Sequence, residues 1–185
     1  FAASECVPFI KTGGLADVVG SLPKCFDKEK YDVRVMIPNY MCIDHKWKEK
    51  MTYVDHFYMD LCWRRQYVGI MEMEYEGVKF YFIDNEYYFS GERPYSDPRY
   101  DLEKFAFFSR AVLSALPVID FRPDIIHCHD YHTGLIPVYL KDSFANGEFY
   151  QGIKSIMPIH NLKFQGVWDI DTLKDLAGLF DYYFT

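Results

Sequence analysis

Residues 127–132 read His-Cys-His-Asp-Tyr-His, placing three imidazoles, a thiol and a carboxylate within six positions. Such side chains ligate metals, move protons or hydrogen-bond polar ligands, and their order and placement decide among these uses. Near the start of the chain, Lys11-Thr12-Gly13-Gly14 precedes a helix-compatible run. Glycines there let backbone N–H groups approach a ligand with no Cβ in the way. A helix beginning near Leu15 aims its positive end at the same spot, and Lys11 adds a full charge, which together make a workable diphosphate cradle. A glycine turn beside an exposed lysine is the slightly better reading from the local residues alone. His160-Asn161 and the loop residues Arg93 and Tyr95 complete the set.

Each group has a competing use. A zinc-dependent hydrolase would draw on His127, His129, Asp130 and His132, with His45, His56 or His160 as the further ligands available. Metallo-hydrolases of the β-lactamase type carry HxHxDH after a strand, whereas the order here is HxHDxH. The one-residue displacement of Asp130 turns its side chain elsewhere. Cys128, at the end of an apolar strand, reads as a buried thiol rather than a nucleophile. The opening loop is neither GxGxxG nor the GxxxxGK P-loop, so neither nucleotide fingerprint applies.

The elements that must position these residues alternate. Leu15, Val18, Val19, Leu22 and Phe26 define one helical face, and Pro23 predicts a break near residues 20–23. "FAASE" reads as the tail of a strand and "DVRVMIP" as a full one. From Thr52 to Asp84 the chain is β-rich, with a hairpin across Glu76-Gly77. A Gly/Pro/Ser/Asp-rich loop follows, and then a helix capped by Asp101 with Leu102, Phe105, Ser109, Val112 and Leu116 on its face. "PDIIHCHD" and "IKSIMPIHN" are strands that end in polar residues, with a helix between them that stops near Asn146-Gly147. The expectation is an α/β chain: a Rossmann-like, mostly parallel sheet carrying a β-hairpin-rich insertion. Ligands bind outside the carboxyl ends of strands in such sheets, and Glu5, Asp84, His127 to Asp130 and His160 all fall there.

Bulk properties narrow the partners. A net charge of -7 over 185 residues argues against nucleic acid and against anionic membrane. Aromatic residues make up 19% of the chain, which suits sugar stacking and suits a core equally well. Five widely spaced cysteines without a CxxC pattern imply a reduced, cytoplasmic protein. The opening "FAASEC" lacks Met, which implies processing or a piece of a longer chain.

Taken together, "SECVPFIKTGGLADVVGSLPK", "DVRVMIPNY", "DLEKFAFFSRAVL", "PDIIHCHDYHTGLIPVYLK" and "IHNLKFQG" resemble, in order and spacing, the bacterial glycogen synthases and plant starch synthases. The resemblance implies residues 1–185 of an incomplete amino-terminal half of a GT-B fold, whose carboxy-terminal nucleotide-binding domain lies outside them. It implies retaining transfer of glucose from ADP-glucose to the non-reducing end of an α-1,4-glucan, with no metal or other cofactor. Half a cleft is expected to be nearly inactive alone. By position, Lys11, Gly13 and Gly14 would contact the donor's diphosphate and sugar. Asp130 and His160 would be the catalytic pair beside the transferring glucosyl unit, with Glu5, Asp17, Tyr95, His132 and Asn161 lining the same pocket. A non-catalytic glucan-binding module built on residues 52–100 remains a further reading.

Overall fold

The first residues of the chain lie in the middle of its sheet. In the computed structural model, which describes residues 1–184, Ala2 bridges in parallel to Met36 on one side and to Cys128 on the other. Four backbone bonds hold it: Ala2 N–H to His127 O at 2.9 Å, His129 N–H to Ala2 O at 3.0 Å, Ala3 N–H to Met36 O at 3.1 Å and Met36 N–H to Phe1 O at 2.8 Å. This opening segment joins two sheets into one.

After it come helix α1 (Gly14–Ser21), strand β1 (Arg34–Pro38) and the short helix α2 (His45–Lys48). Strands β2 (Thr52–Leu61), β3 (Arg64–Tyr75) and β4 (Val78–Asp84) form a meander, followed by α3 (Glu86–Phe89) and the long helix α4 (Pro98–Val118). Strand β5 (Ile125–His127), α5 (Leu135–Lys141), β6 (Lys154–Ile156) and α6 (Ile170–Ala177) complete the described elements. The spatial order is β2-β3-β4-β1, then the opening segment, then β5-β6. Pairings β4–β1 and β5–β6 are parallel, as are both pairings of the opening segment, while β2–β3 and β3–β4 are antiparallel. The expected parallel sheet with a hairpin-rich insertion is what forms.

Local chemistry explains the elements. Val78, Phe80, Tyr81, Phe82 and Ile83 of β4 are all buried, as befits a strand covered on both faces. The β3–β4 turn has Glu76 and Gly77 at φ 50° and 71°, the left-handed pair that a two-residue hairpin needs. The β2–β3 turn puts Cys62 at φ 55°. Cys62-Trp63 carries no turn signature, so the sequence does not announce it. β2 is the edge strand, and its charged residues and a register shift between Tyr53 and Asp55 blunt it against further pairing.

Helix α1 gives way to a 3-10 turn at Leu22–Cys25 carrying Pro23, where the break was expected. Gly20 sits against the chain at residue 7, and a Cβ there would meet Val7 O at 2.6 Å. Three expectations need correction. Helix α4 starts earlier than expected: Asp97, not Asp101, is its cap, accepting from Arg99 N at 3.0 Å and Tyr100 N at 3.3 Å, with Pro98 in the first turn. Asp101 is buried instead, accepting from Ser96 N at 2.9 Å and from Lys104 Nζ at 2.7 Å. Helix α5 ends at Lys141, short of Asn146, and irregular turns follow. Buried residues of α4 also exceed one face: Ala106, Phe107, Phe108 and Leu113 join the expected stripe, because α4 packs against β2, β4, α5 and α6.

The two acids of α4 therefore differ in kind. Asp97→Ala is expected to lower unfolding stability by about 1 kcal/mol. Lys104→Met strands a buried carboxylate and is expected to cost about 3–5 kcal/mol. Urea denaturation midpoints separate the two, and equal losses would contradict this assignment of cap and core.

Candidate functional site at the carboxyl ends of the strands

Glu5 follows the opening segment and is 2% exposed. Its carboxylate accepts from Thr12 N and, at 3.4 Å, from Gly13 N, so it braces the Lys11–Gly14 loop from beneath. Those two amides are thereby committed. The donors left for an anion are the first-turn N–H groups of α1, whose cap position, Gly13, makes no side-chain cap bond. Neither glycine is required by strain: Gly13 is extended at φ -148°, and a Cβ on Gly14 would meet nothing within 4 Å. What the glycines provide is open approach to the helix start.

Lys11 Nζ donates to both oxygens of Asp17 at 2.7 Å, with each side chain about half exposed. An exposed pair of this kind is worth about 0–1 kcal/mol, so a phosphate can take the lysine from the carboxylate.

At the end of β5 the chain turns sharply. Asp130 has φ 58°, a left-handed conformation that costs a non-glycine residue of order 1–3 kcal/mol and is a mark of functional turns. Asp130 Oδ1 accepts from His160 N at 2.6 Å, and Asp130 N donates to Pro158 O at 3.1 Å, so the ends of β5 and β6 are tied together. Thr133 Oγ1 donates to His129 O at 3.0 Å and fixes the turn from within. The imidazoles bond to one another: His127 Nδ1 lies 2.8 Å from His129 Nε2, and His129 Nδ1 lies 2.8 Å from His160 Nε2. Burial, with help from its two imidazole neighbours, pushes His129 down to about 3.

His132 stands apart from that chain. Its ring lies between Tyr95, at 4.8 Å and 25°, and Phe105, at 4.7 Å and 76°. Burial, with Lys104 second, pushes it down to about 3, and its Nδ1 has no hydrogen-bond partner among the described residues. Tyr95 shares a hydrogen bond with Ser4 Oγ at 2.8 Å, which links the loop before α4 to the opening segment. A buried ion pair clamps that loop on both sides of Tyr95. Lys104 donates to Pro94 O and to Asp101, and Asp101 accepts from Ser96 N and Oγ.

The structure therefore joins Glu5, Lys11, Gly13, Gly14 and Asp17 at one loop, Asp130 and His160 at a second, and links the first segment to His132 through Tyr95. An open cleft of about 550 Å³ borders Lys11, Thr12, Arg93 and Tyr95. A second, mainly apolar cavity of about 600 Å³ lies toward the opposite strand ends, lined by Phe26, Phe121 and Ile125 and bordered by His127. Asn161 is exposed and accepts from Lys163 N at 3.0 Å, a turn contact. Asp84 accepts from Asn39 Nδ2 at 2.9 Å and makes no bond to the others. The zinc arrangement does not form: among the described residues no three or more His, Cys, Asp or Glu side chains are grouped to hold a metal ion. Sequence reasoning missed Ser4 and the Asp101–Lys104 clamp, although a lysine amid Leu102, Phe105 and Ala106 on an apolar helix is itself a signal of a buried charge.

Residues 1–185 match a family model described as the starch synthase catalytic domain. A glycogen synthase of Lachnospira eligens is 70% identical over 99% of this chain and 38% of its own length. One from Lachnoclostridium phytofermentans is 65% identical over 100% of this chain and 39% of its own length. The solved catalytic domain of starch synthase IV from Arabidopsis thaliana, bound to ADP and acarbose, superposes with a TM-score of 0.75 at 26% identity, over 95% of this chain and 36% of that one. The shared fold is the Rossmann-like part of a GT-B architecture. The chain spans well under half the length of the curated relatives it matches.

Two outcomes follow from the geometry. Glu5→Ala is expected to remove hydrogen-exchange protection from the Thr12 and Gly13 amides, while Glu5→Gln retains an acceptor and most of it. Protection unchanged in Glu5→Ala would mean that the loop holds itself. The second concerns acid. His132 is folded with a value of about 3 against an ordinary 6.5, so between those limits the unfolded chain binds the proton that the folded chain refuses. Stability is full above about pH 6.5 and falls toward pH 3, by up to about 1.4 kcal/mol per pH unit for this group. Denaturation of His132→Phe across that range is expected to show a shallower slope by that amount, and an unaltered slope would contradict the buried neutral imidazole.

Proposed function

This chain belongs to the starch synthase catalytic domain family, and on that premise we propose that it forms the donor- and acceptor-binding part of a glucan synthase. The reaction moves a glucosyl unit from ADP-glucose to the 4-hydroxyl at the non-reducing end of an α-1,4-glucan, with retention at C1. The bond from C1 to the diphosphate oxygen breaks, a bond from C1 to the acceptor oxygen forms, and the acceptor's proton leaves with the diphosphate. No metal or other cofactor enters the proposal. Residues 1–185 are assigned to the amino-terminal catalytic domain, and the nucleoside-binding residues to the length of the relatives that this chain does not span.

The observation that carries this reading is the convergence of the Glu5 loop, the Asp130 turn and His160 at one edge of the sheet. A leaving diphosphate gains negative charge in the transition state, and fixed positive groups at that point lower the barrier. Lys11 and the bare start of α1 supply them. Asp17 holds the ammonium until a phosphate replaces it. Asp130 commits Oδ1 to the His160 amide, which leaves Oδ2 for a sugar hydroxyl. Half-buried Tyr95 stacks on buried His132 beside the cleft, and Asn161 shapes the exposed turn after His160. The ADP and acarbose held by the Arabidopsis structure are a nucleoside diphosphate and an oligosaccharide analogue, the two ligand classes this proposal needs. Five free cysteines fit a reducing compartment, so the cytoplasm is the proposed location. Among the described residues no helix is long and apolar enough to cross a membrane.

The glucan-module reading draws on exposed Tyr53, Tyr58 and Trp63 along the hairpin of β2 and β3. It accounts for none of the groups at the strand ends, and the catalytic reading is preferred for that reason.

Glucosyl transfer to glycogen by the longest protein this reading frame encodes tests the proposal, with ADP-glucose and UDP-glucose offered in parallel, with and without EDTA. Transfer from ADP-glucose is expected to survive EDTA and to fall about 100-fold in Lys11→Ala. No transfer from either donor, with zinc bound stoichiometrically, would sink it.

A further inference from the structure

The imidazole chain runs deeper than the reaction requires. His160 is exposed at the strand ends, His129 is fully buried behind it and His127 is half-buried behind that. The planes of His129 and His160 differ by 6°, with ring centroids 5.1 Å apart. With the nitrogens 2.8 Å apart, that centroid distance is reached only when both nitrogens lie on the line between ring centres. The two rings therefore meet edge to edge in one plane, the geometry of a directed N–H···N bond.

We propose that His129 is a positioning residue that sets the tautomer of His160, holding its proton on Nδ1. This rests on the reading of His160 as part of the transfer site. A neutral imidazole has one donor and one acceptor nitrogen, and both nitrogens of His129 are engaged. Burial keeps His129 neutral, so it donates to one neighbour and accepts from the other. With all three imidazoles neutral, only two proton arrangements satisfy both contacts. In one, every Nδ1 carries the proton: His127 donates to His129, His129 donates to His160 Nε2, and His160 Nδ1–H faces the ligand. In the other, every proton sits on Nε2 and His160 offers a bare Nδ1. The proposed leaving group is anionic, so an N–H on His160 Nδ1 suits the site better than a bare lone pair. Which ring nitrogen carries the proton is fixed by the bond the other one makes.

Free histidine favours the opposite tautomer, Nε2–H, which makes the assignment readable. In the longest chain of the reading frame, labelled with imidazole-¹⁵N histidine, two-bond ¹H–¹⁵N spectra identify the protonated nitrogen of His160. The wild-type protein is expected to show Nδ1–H. His129→Phe keeps a ring but removes both bonds, and His160 is expected to revert to Nε2–H or to a mixture. His129→Asn restores a donor toward His160 and is expected to restore Nδ1–H. His127→Phe removes only the outer bond, lies in a less buried position, and is expected to give a mixture even if His129→Phe does not fold. On the kinetic side, kcat is expected to fall about tenfold or more in His129→Phe, with KM for both substrates nearly unchanged and partial recovery in His129→Asn. A wild-type His160 carrying Nε2–H, or a tautomer identical in wild type, His127→Phe and the folded His129 variants, overturns the proposal. A protein without transfer activity whose His160 still changes tautomer in these variants would overturn the proposed function and leave the positioning role standing.

Discussion

The parallel pairing of residues 1–3 between β1 and β5 is the constraint on which the rest depends. Without it the molecule is a four-stranded sheet and a separate two-stranded one. With it, Ser4 and Glu5 emerge at the same edge as His127 to Asp130, because parallel neighbours end on the same side. The backbone bond from His129 N–H to Ala2 O is thus both a rung of the sheet and the link that sets two halves of the site side by side. Small side chains suit the position: Ala2, Ala3 and Ser4 are essentially fully buried, where larger groups would displace the strands on either side.

Polar groups taken out of water do the remaining positioning. Glu5 is satisfied by two loop amides, Asp101 and Lys104 by each other and by the backbone around Tyr95, and His129 by two imidazoles. Each leaves a buried group unpaired if its loop moves, and a buried unpaired group costs about 1–3 kcal/mol or more when charged. These contacts tie the loops of the site to the sheet and to α4. His132 is the exception, a buried ring packed between Tyr95 and Phe105 whose Nδ1 finds no hydrogen-bond partner among the described residues.

Much of this was legible in the residues. Alternation of strands and helices, the Glu76-Gly77 turn, the break at Pro23 and the placement of polar residues at strand ends follow from periodicity and turn chemistry. The Cys62-Trp63 turn was not, since neither residue favours a left-handed backbone. The α4 cap was misread because Asp97 and Asp101 both precede apolar periodicity, and only Pro98 between them marks which comes first. The histidines were legible as a cluster and not as a chain. Which nitrogen faces which depends on the twist at Asp130, and a sequence carries no record of ring orientation. Asp17 was placed in the pocket, but its grip on Lys11 needed the helix to bring residues 11 and 17 together.

The meander of β2, β3 and β4 has a consequence in time. Its turns join strands only a few residues apart, so its contacts are local and close on the microsecond scale typical of hairpins. Ala2 and Cys128, by contrast, are separated by most of the chain, and such distant pairing is the slow part of folding. During synthesis the antiparallel half is therefore ready while the centre of the sheet still lacks its neighbour. The Glu5 loop needs only the first part of the chain, whereas the Asp130 turn can join it only once Cys128 pairs with Ala2, so the two halves of the site meet late.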